Sequence, residues 1–161
     1  MTPRALPAID PRALRDACGR FATGVTVIST VTEDGDHGMT ANAFMSISLD
    51  PPLISISLDR KARMLGKVRE ARRYAVSILT SGMEPLARHF AGRADPTVTQ
   101  PFAHLQGVPV VPGASAVFVA DVTQEVEAGD HVLFIGRVRH MELSDDAQPL
   151  LFYGGRFGAV A

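Results

Sequence analysis

The chain has 161 residues, 46% hydrophobic and 20% charged, with a formal net charge of −1. That is enough for one domain with a real core and lacks the concentrated basic surface a nucleic-acid partner requires. The single cysteine, Cys18, excludes an internal disulfide and a cysteine-built metal site and suits a reducing cytoplasm, and no stretch approaches the roughly 18 apolar residues of a membrane span.

Residues 1–10, with Pro3 and Pro7 and no apolar run, read as a flexible arm rather than a signal peptide, ahead of one domain over residues 11–161. Asp10 suits an N-cap and Pro11 a first helical position, so a helix is expected from Pro11 to Phe21. Leu14, Ala17, Cys18 and Phe21 form its apolar stripe, with Cys18 a small core side chain. Val25–Val31 is β-branched and alternating, a strand. Residues 33–38 (EDGDHG) read as a turn, and Met39–Leu49 as a second strand ended by Asp50-Pro51-Pro52. Leu53–Leu58 alternates strictly, with Ile54, Ile56 and Leu58 on one face. A second helix is expected over Ala62–Arg72, then a strand over Tyr74–Leu79. Ser81 and Glu84 have capping-box spacing for a third helix, which Pro85 could open instead; Leu86, His89 and Phe90 form its inner stripe. Residues 92–114 read as loop, Ala116–Val126 and His131–Leu143 as a long hairpin, and residues 149–160 as a turn between two short extended pieces. Successive strands with few helices between them do not make a doubly wound parallel sheet. They suit a mostly β fold, an antiparallel barrel with flanking helices.

The chain lacks a Rossmann glycine fingerprint, a P-loop, H-E-x-x-H and G-x-S-x-G. Its five histidines are scattered without ligand spacing on one helix face, so no metal site is expected.

Several segments, in order and over nearly the whole chain, resemble the flavin-reductase-like family, the reductase components of two-component flavin-dependent monooxygenases. They are residues 21–28 (FATGVTVI), 38–53 (GMTANAFMSISLDPPL), 74–79 (YAVSIL), 89–91 (HFA), 129–138 (GDHVLFIGRV) and 149–153 (PLLFY). The resemblance implies an FMN-binding split β-barrel, a homodimer and a cytoplasmic enzyme. That enzyme would reduce FMN or FAD with NADH or NADPH as co-substrate and supply reduced flavin to a partner monooxygenase.

Thr40, Asn42 and Ser46 fall on alternate positions of the expected second strand and so project from one face. By themselves they read as a solvent-facing polar edge. The resemblance makes that face the wall beside the isoalloxazine, with backbone N–H groups near Ala41 and Ala43 meeting the ring edge. Ser57, Asp59, Lys61 and Arg63 lead from the third strand into the second helix, and the resemblance makes them a cradle for ribityl and phosphate groups at a helix start. Two positions depart from the family pattern: Ala62 stands where many members have serine, and Ser77 where asparagine is common. Phe90 and Arg93 are implied to close over the flavin, although Phe90 reads equally as core. His131, in the Gly129-Asp130-His131 turn, is implied to meet the nicotinamide, with Tyr153 and Arg156 bordering the same pocket. No catalytic side chain is expected, because hydride passes between two cofactors. The rival reading is a flavin-binding electron carrier on the same barrel, without NAD(P)H oxidation.

Overall fold

The structure, a computed structural model, describes residues 6–145 and 147–161. Residues 1–5 of the expected arm lie outside the described residues; residues 6–10 are exposed and carry no regular structure.

The first helix, α1 (Pro11–Cys18), starts as its sequence dictates: Asp10 Oδ2 accepts the Ala13 N–H at 2.9 Å and Pro11 fills the first turn. It ends one turn earlier than expected and buries nothing. Leu14 is 55% and Phe21 79% exposed, and Cys18 is a surface residue rather than a core one. The helical period is present, but among the described residues nothing buries the stripe.

Among the described residues twelve strands follow: β1 (Thr23–Gly24), β2 (Thr26–Thr32), β3 (Gly35–Ala41), β4 (Phe44–Leu49), β5 (Pro52–Asp59), β6 (Arg73–Ile78), β7 (Ala103–Leu105), β8 (Val108–Val110), β9 (Ala116–Ala128), β10 (His131–Leu143), β11 (Leu151–Tyr153) and β12 (Arg156–Gly158). Between them lie α2 (Arg63–Ala71) and α3 (Glu84–His89). Seven strands form one antiparallel sheet in the order β3-β2-β6-β9-β10-β5-β4. Polar residues 35–38 thus belong to a strand, because pairing with β2 outweighs their turn-like composition. The expected second strand is in fact two, β3 and β4, which are the two edges of the sheet. Only Asn42 and Ala43 separate them. Three Cα–Cα steps cap the distance from Ala41 to Phe44 at about 11 Å, so the sheet coils enough to bring the ends of its two edge strands near each other here.

Two cores result. Inside the coil, Ile28, Ile56, Leu58, Tyr74, Val132 and Phe134 pack with Met64, Leu65 and Val68 from α2. Outside it, Val27, Ala75, Leu79, Val117 and Val119 are covered by Ala87 of α3, Val108 and Val110 of β8, and Leu150. The β7–β8 hairpin lies inside the stretch expected to be loop. Its strands of three residues are too short to show a period. It turns on Gln106 and Gly107, both at positive φ (51° and 77°), the conformation that suits a two-residue hairpin. Ser77 is fully buried and its Oγ accepts the Val111 N–H at 3.0 Å, holding this hairpin down. Met83 occupies the N-cap of α3, so the Ser81–Glu84 capping box does not form, while Pro85 sits in the first turn. The tail hairpin β11–β12 pairs with β1 in a separate three-stranded sheet. Among the described residues no helix is long and apolar enough to cross a membrane.

Candidate functional site

The Asn42–Ala43 link is the hub. Both residues are exposed, and the Ala43 carbonyl accepts the Ser57 N–H at 3.2 Å, which draws β5 to the link. On one flank, Ser57 opposes Leu133 and Asp59 opposes His131 across β5 and β10. The turn after β5 is tied to the long hairpin: Arg60 N–H donates to the Asp130 carbonyl at 2.9 Å, and its guanidinium to the Gly129 carbonyl at 2.9 Å. Asp59 Oδ1 accepts the Lys61 N–H at 2.7 Å, shaping the entry to α2. On the other flank, Thr40 N–H donates to the Phe90 carbonyl at 3.1 Å and its hydroxyl to the Ala87 carbonyl at 2.7 Å, tying β3 to the end of α3.

Thr40 and Ser46 do not project from one face as expected. Thr40 opposes Val27, on the outer core's side, whereas Ser46 opposes Ile54, on the inner core's side. The alternation is broken because residues 42 and 43 carry the chain from one sheet edge to the other. Ala41 packs against the inner core.

A cavity of about 260 Å³ lies between β3 and the start of α2, lined by His37, Met39, Ala62, Arg63 and Lys67. Ala62 is the N-cap of α2 and supplies no side-chain hydrogen bond; the Leu65 N–H donates to the Ala62 carbonyl at 3.1 Å, which leaves the Arg63 and Met64 N–H groups for an anion. Lys67 is spent on Asp34, whose carboxyl it holds below the usual carboxylate range; Arg63 is exposed beside the cavity. His37 and Lys67 escaped the sequence reading, since nothing local says that β3 and α2 face each other.

Phe90 is a packing residue: its ring stacks on Phe102 at 5.1 Å and 26°, within the outer core. Arg93 shares a groove with Arg88, Phe152, Arg156 and Phe157. Tyr153 is 49% exposed at the tight turn made by Gly154 and Gly155, whose φ values are 55° and 78°. Gly154 N–H donates to the Gly19 carbonyl at 2.9 Å, which anchors that turn. His131 Nδ1 lies 2.8 Å from Asp130 Oδ1. The pairing keeps the Asp130 carboxyl below its ordinary range and leaves Nε2 for a ligand. The arrangement offers exposed small residues whose carbonyls are engaged while the Asn42 and Ala43 N–H groups have no acceptor among the described residues, flanked by a helix start, a carboxylate-held imidazole and basic side chains.

Residues 18–161 match the flavin reductase like domain family. An NADH-dependent flavin reductase of Rhodococcus sp is 46% identical over 157 residues, covering 96% of this chain and 89% of that protein. The reductase component of a Thermus thermophilus 4-hydroxyphenylacetate 3-monooxygenase is 35% identical over 141 residues, covering 88% and 91%. Among solved structures, a flavin reductase in its native state superposes with a TM-score of 0.91 at 45% identity, covering 95% of this chain and 99% of that one.

Proposed function

Since the chain belongs to the flavin reductase like domain family, we propose that it oxidises NADH to reduce FMN or FAD and passes the reduced flavin to a partner monooxygenase. The observation that carries this reading is the Asn42–Ala43 link. It is an exposed crossing between two sheet edges, bordered by a helix start without a side-chain cap on one side and by His131 on the other. That donor set fits a flavin. Backbone groups of Ala41, Asn42 and Ala43 meet the ring edge, with Ser46 at the rim; Ser57 and Asp59 meet the ribityl chain; Lys61, Arg63 and the first turn of α2 meet the phosphate. When bound, the two cofactors supply the hydride donor and acceptor, and the protein orients them. His131, with Tyr153 across the site, positions the nicotinamide. NADPH is the alternative co-substrate.

The same reading makes the coiled sheet a split barrel and the protein a cytoplasmic homodimer. Support for the dimer comes from the outer face of β4, β5, β10 and β9. Register places Met45, Ser55 and Ile135 in one row and Ser57, Leu133 and Val126 in the next. Met45 is 53% and Val126 43% exposed, while the outer face of β2 and β6 is covered by α3 and β8. A second copy covers such a face.

The test is NADH and NADPH oxidation with FMN, FAD and riboflavin in turn. Flavin-dependent NADH oxidation supports the reading, and none with any flavin refutes it. Flavin binding without NADH oxidation would favour a flavin-binding carrier, and unaltered NADH use in His131→Ala would remove His131 from the nicotinamide site.

A further inference from the structure

We propose that Arg60 is a positioning residue for the hydride transfer: it clamps the β9–β10 turn to the start of α2 and so sets where His131 stands relative to the flavin cradle. The inference rests on the flavin reductase reading, which puts the nicotinamide at His131 and the flavin phosphate at α2.

His131 sits at the end of the long hairpin, where the core offers no support. Residues 127–130 are all exposed, and nothing lies within 4 Å of a Cβ built on Gly129. Gly129, at φ 62°, opens the two-residue turn that pairs Ala128 with His131. A hairpin tip without packing is among the first parts of a sheet to open. β5 supports it only as far as its last pair with β10, Asp59 opposite His131.

Arg60 takes over where that ladder ends. Its N–H donates to the Asp130 carbonyl at 2.9 Å. Its Nε donates to the Gly129 carbonyl at 2.9 Å, and its Nη2 to Glu127 Oε2 at 2.9 Å. One planar fork therefore reaches both the end of β9 and the turn itself, which suits the rigid geometry of a guanidinium. Among the described residues, no other side chain from outside the hairpin hydrogen-bonds to residues 127–130. The Glu127 pair is worth little alone, since the two side chains are 45% and 65% exposed. It aims the guanidinium, and the bonds to the two carbonyls hold the turn.

The other end of the clamp is also set. Asp59 Oδ1 accepts the Lys61 N–H at 2.7 Å and the Asp59 carbonyl accepts the Ala62 N–H at 2.9 Å, so residues 59–62 turn tightly into α2. One residue thus joins the element that cradles the flavin to the element that carries His131. Its guanidinium is spent on the hairpin, so flavin affinity does not depend on it. Reacting groups misplaced by about 1 Å lose about a hundredfold in rate; a loosened tip shifts His131 by part of that distance, and a tenfold loss is expected.

Arg60→Met keeps the stem and removes the fork. In the flavin-free protein, hydrogen–deuterium exchange over residues 127–133 should quicken about tenfold, with β2 and β6 unchanged. With FMN bound, single-turnover reduction by NADH should slow about tenfold while the Kd for FMN moves less than twofold. A double-mutant cycle tests whether Arg60 acts through His131: in a His131→Ala background, Arg60→Met should cost less than twofold more. The proposal is overturned if exchange at the tip is unchanged, if the Kd for FMN rises as much as the reduction rate falls, or if the loss is as large without His131. A wild type that oxidises no NADH sinks the reductase reading instead, and the exchange measurement still judges the clamp.

Discussion

Gly38 ties the fold to the site. A Cβ built there would lie 2.6 Å from Phe90 Cε1, 2.7 Å from Phe102 Cζ and 2.8 Å from Phe90 Cδ1. Carbon contacts are comfortable near 3.5–4.0 Å, so the overlap is about 1 Å. The rings stack on each other at 5.1 Å, so neither retreats without moving its partner. Phe90 stands at the end of α3, whose carbonyls receive the N–H and hydroxyl of Thr40. Overpacking of this kind costs about 1–3 kcal/mol, and loosening the Thr40 hydrogen bonds adds about 1 kcal/mol. Gly38→Ala is therefore expected to destabilise the protein by about 2–4 kcal/mol and to weaken FMN binding, because β3 ends at the link. Urea unfolding should show a lower midpoint at an unchanged slope, and fluorescence titration a raised Kd for FMN. A loss below about 0.5 kcal/mol, the scale of a neutral surface change, with FMN affinity intact, would refute the steric argument.

Gly66 is the counterpart: exposed, inside α2, with nothing within 4 Å of its Cβ position. Gly66→Ala is expected to raise stability by about 0.5–1 kcal/mol in the same urea assay, and any decrease contradicts it. Asp130→Asn removes the carboxylate that holds His131 at 2.8 Å; the KM for NADH should rise severalfold with FMN affinity unchanged, and an unmoved KM ends that assignment. Asp121 accepts from Arg73 Nε at 2.6 Å and Arg139 Nε at 2.8 Å, which hold its carboxyl below the ordinary range. With the folded-state pKa depressed, its contribution is full above the unfolded value of about 3.9 and is lost as pH falls through the lower folded value. Wild type should therefore lose more stability than Asp121→Asn below about pH 4; parallel acid-unfolding curves would dismiss the pairing.

Much of this was legible beforehand. The β-branched alternation of Val25–Val31 and Leu53–Leu58, the Asp10-Pro11 helix start and the glycine turn at residue 129 each report a local preference, and each holds in the structure. The order of strands was enough to exclude a parallel sheet, and the motifs around residues 38–53 and 129–138 were enough to suggest a flavin.

Those local preferences are written within a few residues of one another, as a period of two or 3.6, a cap or a turn. They marked most of the strands and helices, although residues 35–38 and the β7–β8 hairpin escaped them, and the flavin chemistry rested on the resemblance of whole segments to a family. Tertiary structure alone decided that residues 39–49 are two strands on opposite edges, that Thr40 and Ser46 face different cores, that Phe90 packs on Phe102, and that Arg93 and Arg156 line one groove. Those are pairings between distant segments. They are chosen by which buried faces and backbone groups satisfy one another, and no single stretch of sequence records that choice.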